Sequence, residues 1–316
     1  MGFPGVGPWW SLALVSLAGG VVVGVGGGSV WSGPGTTWQL GSIFRGRCEE
    51  YVSLFDPSLR DKNCTAIWEA FKEVLKKDSC SVLPSDYDHF INLSMHAIPK
   101  DKSLFWEKNH LLVTSYSDNA RRSVSLCDVL YGRVGDFLSW CRNRNDSGLD
   151  YESCPTTEEC ENNHVESFWR RASQQYAQDS SGVIYVMLNG SDPDGAYPTK
   201  SVFAEFEIPY FRKEKVTRFE IWVMHEIGGP YLESCGKGTV KTLEDRLKGM
   251  GFKYSCINNH RPVKFLKCVD HSTHPDCVFS SAAESTPGRL PSLFRGEQGP
   301  RLVLSLSLVL LWGTQF

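Results

Sequence analysis

The chain has 316 residues, of which 41% are hydrophobic and 22% charged, and its formal net charge at pH 7 is −3. This balance is typical of a globular protein and excludes a largely disordered chain, and the length admits one large domain or two ordinary ones. Because the net charge is slightly negative and no block of basic residues occurs, we expect no nucleic-acid partner.

The N-terminal segment is apolar and uncharged. Residues 11–28 read SLALVSLAGGVVVGVGGG, an apolar run that passes into small residues, as a secretory signal does before its cleavage site. The residues before this run include no Lys or Arg, which departs from the usual pattern and leaves an N-terminal membrane anchor as the alternative. We predict a signal peptide over residues 1–28.

Apolar residues at helical spacing dominate the first half of the chain that follows. They recur every three or four positions over 44–55 and 64–77, which predicts two amphipathic helices. The short apolar runs at 102–106 and 109–114 favour strand or loop.

Two further helices are predicted before residue 180. The first begins at Ser125, a candidate N-cap with Asp128 as its capping-box partner, and its apolar face extends to Cys141. The second covers HVESFWRRASQQYAQ, residues 164–178.

After residue 180 the pattern changes to runs rich in β-branched and aromatic residues. Such runs occupy 183–189, 217–225 and 262–269, and one helix, Val240–Met250, lies between them and ends at Gly251. The order strand, helix, strand predicts a largely parallel sheet. The chain therefore divides into a helical half and an α/β half.

Eleven cysteines and four Asn-X-Ser/Thr sequons accompany the predicted signal. Together they indicate a secreted glycoprotein in an oxidising compartment, where disulfides form and persist. The odd number of cysteines leaves at least one of them unpaired. The predicted glycosylation sites are Asn63, Asn92, Asn145 and Asn189.

The C-terminus has the layout of a lipid-attachment signal. Residues 302–312 read LVLSLSLVLLW, a run well short of the ~20 residues that span a bilayer. A small-residue cluster and a polar spacer precede it, which predicts a GPI signal over 279–316, although the spacer is longer than the usual ~8–12 residues. We predict a location on the extracellular face of the plasma membrane, and the alternative is a soluble secreted protein with a frayed tail. The candidate attachment residues are Ser280, Ser281 and Ala282.

Several common catalytic motifs are absent from the sequence. It has no phosphate-binding P-loop, no G-x-G-x-x-G and no G-x-S-x-G. The spacing of Cys268, His271, His274 and Cys277 suggests zinc, but in a secreted chain a disulfide between the two cysteines is the simpler interpretation. We therefore expect no metal site.

A recognisable stretch, CRNRNDSGLDYESCPTTEECENNHVESFWRRAS, covers residues 141–173. Together with NCTAIWEAF, CSVLPSDYDHF, SLFWE, VMLNGS and EIWVMHEIGGP, it resembles the ADP-ribosyl cyclase family over residues 38–278. The resemblance implies an α+β or α/β fold and a homodimer. A helical part (36–99 with 126–181) would face a part with a four-stranded parallel sheet (100–125 with 182–278) across the active cleft.

The resemblance also implies five disulfides, which would leave Cys127 unpaired. The implied pairs are Cys48–Cys64, Cys80–Cys160, Cys141–Cys154, Cys235–Cys256 and Cys268–Cys277.

For the chemistry, the resemblance implies cleavage of NAD, which is the substrate, at the nicotinamide–ribose bond without a further cofactor. Cleavage expels neutral nicotinamide and leaves positive charge on the ribose, so the site needs a fixed negative charge beside C1′. The family's catalytic carboxylate corresponds to Glu207. On a predicted strand Glu205 would face the same side, so only the resemblance selects Glu207.

Aromatic side chains are expected to form the walls of the cleft, because flat cations bind aromatic faces. Trp106 and Trp169 match the family's two walls, with Phe203 closing the pocket. A purely structural role is the alternative for Trp169, which also fits the buried face of its helix.

Polar residues of the family's cleft correspond to four further positions. Asp128 would contact the nicotinamide amide or would only cap its helix, and Asp136 is a weaker match on the same segment. Ser173 would bind phosphate. Lys108 would pair with the pyrophosphate or remain a free surface lysine.

The run Ser125-Leu126-Cys127-Asp128 departs from the family, many members of which carry an acidic residue directly before the aspartate. That position influences whether adenine or water attacks C1′, so the ratio of cyclic to hydrolysed product stays open. If Ser125 is an N-cap, Cys127 lies in the first helical turn, where amide dipoles favour a thiolate. We predict a reactive thiol at the rim of the cleft, with an inert buried thiol as the alternative.

Two functions are therefore compatible with the sequence. The first is an ADP-ribosyl cyclase and cyclic ADP-ribose hydrolase. The alternative is a GPI-anchored receptor or adhesion ectodomain that binds protein ligands and turns over NAD weakly or not at all. Glu207, Trp106 and Trp169 favour the enzyme, whereas Cys127 keeps the alternative open.

Overall fold

The structure is a computed structural model that describes residues 31–120, 122–144 and 148–279. Contacts within the chain separate Met1–Cys277 from Val278–Phe316, and the fold below is that of the first unit. Outside the described residues lie the predicted signal peptide (1–28), the sequon at Asn145 and the attachment residues Ser280, Ser281 and Ala282.

Helices fill most of the first half and alternate with strands in the second. In chain order they are α1 (Leu40–Glu50), α2 (Cys64–Val74), α3 (Asp88–Ser94), α4 (His110–Ala120), α5 (Leu130–Arg133), α6 (His164–Asp179), α7 (Gly238–Gly249) and α8 (Arg261–Lys267). Tyr51–Phe55 and Phe203–Glu207 form π-helical turns. The predicted helices near residues 44–55, 64–77, 164–178 and 240–250 are confirmed, and Gly251 has the positive φ of 78° that ends the last of them.

The main sheet has four parallel strands, as predicted. The strands are β1 (Gly33–Pro34), β2 (Leu104–Glu107), β3 (Ser153–Cys154), β4 (Gly182–Asn189), β5 (Val216–Met224) and β6 (Tyr254–Asn258). The sheet order is β2-β4-β5-β6, and β1 and β3 form a separate short antiparallel pair. Most side chains of β4 are buried on both faces, which suits a central strand of a parallel sheet.

One segment expected to be strand or loop, 109–114, and one predicted strand, 262–269, are largely helical instead. The segment 109–114 belongs to α4, where Val113, Tyr116 and Ser117 recur at helical spacing and are buried. The segment 262–269 falls largely in α8, which has Pro262 in its first turn. The fourth strand is β6, a largely exposed edge strand without the apolar alternation that would have predicted it.

The predicted helix from Ser125 to Cys141 is broken. A 3-10 turn covers Leu126–Asp128, Val129 is extended with φ −92° and ψ 153°, and only α5 follows. The chain folds back so closely that a Cβ on Gly132 would collide with the carbonyl oxygen of Leu126. The apolar residues of this segment are therefore buried by a chain that folds back on itself, and they do not form one face of a continuous helix.

All five disulfides implied by the resemblance are present, and Cys127 is the free cysteine of the described residues. The bond between Cys268 and Cys277 removes both sulfurs as zinc ligands and supports the disulfide interpretation of that spacing.

One hydrophobic core joins the helices to one face of the sheet, and Phe71 and Phe168 from helices meet Ile184 and Phe219 from strands within it. A smaller cluster lies under α4 and α8. No break in the main core marks the boundary between the two predicted parts of the chain, so those boundaries stay a prediction. None of the described helices combines the length and apolar composition that a bilayer crossing requires.

Candidate active site

A cleft of about 260 Å³ lies beside the carboxyl end of β2. It brings together many of the residues that the family resemblance selected, although they are widely separated in the sequence. The residues that line it are Trp106, Glu107, Lys108, Leu126, Trp169, Ser173, Val202, Phe203 and Glu207.

Two helical segments and one strand place these side chains. Trp169 and Ser173 lie one turn apart on α6, and Phe203 and Glu207 lie one turn apart on the π-helical turn that packs against it. The hydroxyl of Tyr176, further along α6, accepts a hydrogen bond from the Leu104 amide at 3.0 Å and so ties the helix to the strand that carries Trp106.

Glu207 is only 6% exposed. Burial is the largest cause that raises the pKa of its carboxyl; a hydrogen bond with the Ser173 side chain lowers this pKa, the nearby carboxylate of Glu107 raises it, and together they bring it to about 8. Among the ion pairs of the described residues none involves Glu207. Near neutral pH the site therefore favours the protonated form of this carboxyl unless a cation lies beside it.

The segment that carries Glu207 is not the strand that we predicted. Because Phe203–Glu207 is a π-helical turn, Glu205 is exposed while Glu207 is buried in the cleft. The local geometry thus separates two carboxylates that the sequence pattern left equivalent.

Glu107 is a cleft residue that the sequence analysis missed. It is the last residue of β2 and is half-buried, and burial raises the pKa of its carboxyl, while Ser201 and Lys108 lower it. The only signal was its place directly after Trp106 in SLFWE, at the carboxyl end of a parallel strand, where ligands commonly bind.

Lys108 lines the cleft but is already paired. Its Nζ lies 2.9 Å from Asp192 Oδ1 and 3.5 Å from Asp194 Oδ2. The predicted alternative of a free surface lysine is therefore wrong, and Lys108 would have to exchange partners to bind a phosphate.

Asp128 and Asp136 do not line the cleft. The carboxylate of Asp128 accepts hydrogen bonds from the amide and the hydroxyl of Ser125, both at 2.7 Å, which matches the capping interpretation. Asp136 lies beside His110 and Cys127 instead. The His110 ring stacks on Trp106 with 5.6 Å between ring centroids, so this group adjoins the cleft through that indole.

The prediction of a reactive Cys127 thiolate is wrong. Cys127 is 6% exposed, and burial, followed by the charge of Asp136, raises the pKa of its thiol well above the usual range. The predicted helix dipole is missing, because the turn that contains Cys127 has only three residues.

The predicted glycosylation sites differ in exposure. Asn63 and Asn92 are exposed, whereas Asn189 is half-buried and accepts a hydrogen bond from the Ser191 amide at 3.0 Å.

Comparisons with known proteins agree with this geometry. The family model described as ADP-ribosyl cyclase matches residues 37–277. Human ADP-ribosyl cyclase/cyclic ADP-ribose hydrolase 2 is 67% identical over 285 residues, which cover 90% of this chain and 89% of the human protein. The mouse protein of the same name is 71% identical over 255 residues, 81% of each chain.

Solved structures are similar over the same region. Aplysia cyclase, complexed with substrate NGD and product cGDPR, superposes with a TM-score of 0.71 at 31% identity and covers 78% of this chain and 98% of its own. Porcine CD38, complexed with a covalent intermediate, gives a TM-score of 0.69 at 32% identity and covers 73% of this chain and 100% of its own.

Proposed function

The chain belongs to the ADP-ribosyl cyclase family, and on that basis we propose that it cleaves NAD at the bond between nicotinamide and ribose. One product is nicotinamide, and the other is cyclic ADP-ribose, ADP-ribose or a mixture of these two. The observation that carries the proposal is the convergence of Glu207, Trp106 and Trp169 in one cleft.

The electrostatics of the cleft suit the departure of a cationic leaving group. Nicotinamide leaves as a neutral molecule, so positive charge passes to the ribose at C1′ and no general acid is needed. A carboxylate about 4 Å from that charge contributes on the order of 4 kcal/mol at an effective dielectric of about 20. Because this charge develops during cleavage, the interaction lowers the barrier as well as favouring binding.

The raised pKa of Glu207 fits this role. Without a bound cation, burial keeps a large share of the carboxyl protonated near neutral pH. The nicotinamide cation between the indoles of Trp106 and Trp169 would favour the carboxylate, because an opposite charge lowers the pKa of an acid. Substrate binding therefore ionises the residue that the chemistry needs.

The remaining cleft residues have supporting roles in the proposal. Ser173 keeps the Glu207 carboxyl in place and is close enough to the cleft floor to contact a substrate phosphate or hydroxyl. Lys108 binds the pyrophosphate after releasing Asp192. Phe203 lies beneath the cleft and is buried.

The test is a product analysis of the full chain, purified from expressing cells, and of two single variants. With NAD as substrate, nicotinamide, ADP-ribose and cyclic ADP-ribose are separated and quantified. We expect Glu207→Gln to lower kcat by about a thousandfold or more, which corresponds to the loss of roughly 4 kcal/mol of transition-state stabilisation. The matched control is Glu205→Gln, which changes an exposed carboxylate two residues away in the sequence and should leave kcat unchanged.

Two outcomes would contradict the proposal. Nicotinamide release by Glu207→Gln at the wild-type rate would remove Glu207 from catalysis. No nicotinamide release by the wild-type chain at micromolar enzyme would instead favour the receptor or adhesion interpretation.

We also propose that the protein is a homodimeric glycoprotein on the extracellular face of the plasma membrane, held there by a GPI anchor. The five disulfides support an oxidising compartment. The exposed sequon residues Asn63 and Asn92 are accessible to glycan attachment.

A further inference from the structure

Three potential metal ligands converge next to the Trp106 wall of the cleft. His110 begins α4, Cys127 lies in the 3-10 turn before α5, and Asp136 follows α5. The Cys127 sulfur lies 3.4 Å from His110 Nε2 and 3.4 Å from Asp136 Oδ1. The distance from His110 Nε2 to Asp136 Oδ1 is also 3.4 Å, so the donor atoms form a nearly equilateral triangle.

The size of this triangle matches the spacing of ligands around zinc. A tetrahedral zinc ion has bonds of about 2.3 Å to sulfur and about 2.0–2.1 Å to nitrogen or oxygen. Those lengths place neighbouring ligand atoms about 3.3–3.6 Å apart. All three distances in the cluster fall in this range, so an ion can bind without a large movement of any side chain.

The types of donor atom narrow the class of cation. An imidazole and a thiolate suit zinc and similar borderline-soft ions, whereas magnesium and calcium prefer sites made of oxygen alone. Burial raises the pKa of the Cys127 thiol, and a bound divalent cation reverses this effect because it stabilises the thiolate.

The surroundings hold two of the three ligands, His110 and Asp136, in place. The guanidinium of Arg47 donates to the backbone carbonyls of Asp136 at 2.6 Å and of Arg133 at 3.2 Å, which fixes the segment after α5. The His110 ring stacks between Trp106 and Phe137, at 5.6 and 4.9 Å between centroids. Such surrounding contacts orient ligands and strengthen metal binding.

An ion can reach the cluster from solvent. The His110 side chain is 35% exposed and that of Asp136 is 16% exposed, so two of the three ligands are accessible to solvent. The nearby cation Arg133 is engaged by Glu50 at 4.0 Å and by the face of Phe55.

We propose that His110, Cys127 and Asp136 bind one divalent cation of the zinc class, with water in the fourth position. The site goes beyond the proposed NAD cleavage and uses none of its catalytic residues. It adjoins the cleft through the stacked rings of His110 and Trp106. Within the described residues Cys235, Glu244 and Cys256 also lie close together, but there the two sulfurs are joined in a disulfide.

The test is metal binding by the full chain, purified from expressing cells without a histidine tag and stripped of metal with a chelator. Zn²⁺ affinity and stoichiometry are measured by calorimetry. Co²⁺ serves as a second probe, because thiolate coordination produces a charge-transfer absorption band. We expect one ion per chain, a cobalt–thiolate band, and release of the Cys127 proton on binding.

Three variants separate this site from adventitious binding. Cys127→Ser should abolish the cobalt–thiolate band and weaken Zn²⁺ binding by about a hundredfold or more, since even contacts outside the ligand set are worth about 10–100-fold. Asp136→Asn, at a partly exposed position, provides the same comparison of Zn²⁺ affinity if Cys127→Ser fails to fold. His89→Gln is the matched control, because it removes an exposed histidine elsewhere and should leave binding unchanged.

Two results would contradict the proposed metal site. Wild-type binding no tighter than that of folded Cys127→Ser or Asp136→Asn would show that the cluster is only hydrogen-bonded. A cobalt–thiolate band that persists in Cys127→Ser would place the ion elsewhere. Because neither readout uses NAD, failure here leaves the proposed enzymatic activity untouched.

Discussion

The buried position of Glu207 suits its proposed role in catalysis but destabilises the folded protein when the carboxyl is ionised. Its carboxyl is buried beside Glu107 without a cationic partner among the described ion pairs, and its pKa is about 8. The folded protein therefore binds a proton at this residue more tightly than the unfolded chain does, whose carboxyl keeps the ordinary value of 4.5. At higher pH the native state must hold an unfavourable buried charge.

This difference predicts how stability depends on pH. A folded pKa above the unfolded one contributes stability that is fully present below about 4.5 and is lost as the pH rises through about 8. The loss is of the order of a few kcal/mol, since each unit of pKa difference corresponds to about 1.4 kcal/mol. Glu207→Gln is neutral throughout, so it should melt at a higher temperature than the wild type above pH 8, while the two proteins converge near pH 5.

Thermal melting from pH 5 to pH 9, without NAD, measures this effect. Other buried groups also titrate, but they are common to both proteins, so the difference between the two melting curves isolates Glu207. A difference in melting temperature that is constant with pH would contradict the raised pKa.

At the scale of secondary structure, the cleft depends on how α6 is held against β2. The Tyr176 hydroxyl is buried and contacts the backbone at Leu104 and Val124. Trp106 lies two residues after Leu104, and Trp169 lies on the same helix as Tyr176. The Tyr176 side chain therefore contributes to the distance between the two aromatic walls.

We predict that Tyr176→Phe lowers the free energy of unfolding by about 1–3 kcal/mol, because it leaves the buried backbone partners less well satisfied. KM for NAD should rise more than kcat falls, since the indoles bind the substrate but do not react. Chemical denaturation and steady-state kinetics measure the two effects. Tyr151→Phe, an exposed tyrosine, is the control, and an unchanged KM in Tyr176→Phe would show that the walls are positioned by other contacts.

Elements with a clear local pattern could be predicted from the sequence. β4 is a continuous apolar run, and α6 has apolar residues on one face and an Asn163 cap whose side chain accepts from the Glu166 amide. By contrast, β6 is largely exposed and carries no alternation, and α8 resembles a strand in composition. Short segments of this kind take their conformation from tertiary packing, which no local pattern records.

The site was predictable only in part, for a similar reason. The family resemblance identified Glu207, Trp106 and Trp169, and the fold brings them together. The contribution of Glu107 and the cluster around Cys127 depend on pairings between distant segments, such as α4 with the turn before α5. The separation of Glu205 from Glu207 depends on a π-helical turn that the alternating sequence SVFAEFEIPY does not reveal.

For the whole molecule, the disulfides differ in how much of the chain they constrain. Cys80–Cys160 closes a sequence separation of 80 residues, whereas Cys268–Cys277 closes one of 9. In the chain-entropy model these loops correspond to about 4.5 and about 2.6 kcal/mol of stabilisation at 25 °C. Long-range crosslinking thus supports the helical part more than the C-terminal end.

We predict that replacing Cys80 and Cys160 together by alanine destabilises the protein more than replacing Cys268 and Cys277, by about 2 kcal/mol. Equilibrium unfolding in guanidinium of both double variants measures the difference, with the wild type as reference. If the two double variants are equally stable, or if their order is reversed, the loss of native packing rather than loop closure determines how much stability is lost.

The pairing of β2 with β4 has a consequence for biosynthesis. Leu104 pairs with Tyr185, so the edge strand leaves the ribosome long before its neighbour has been translated. A nascent chain that ends between residues 169 and 207 holds both indoles but lacks the carboxylate of Glu207. Domains fold as units once their sequence is complete, so NAD cleavage belongs to the finished chain, and truncated translation products leave the nucleotide intact.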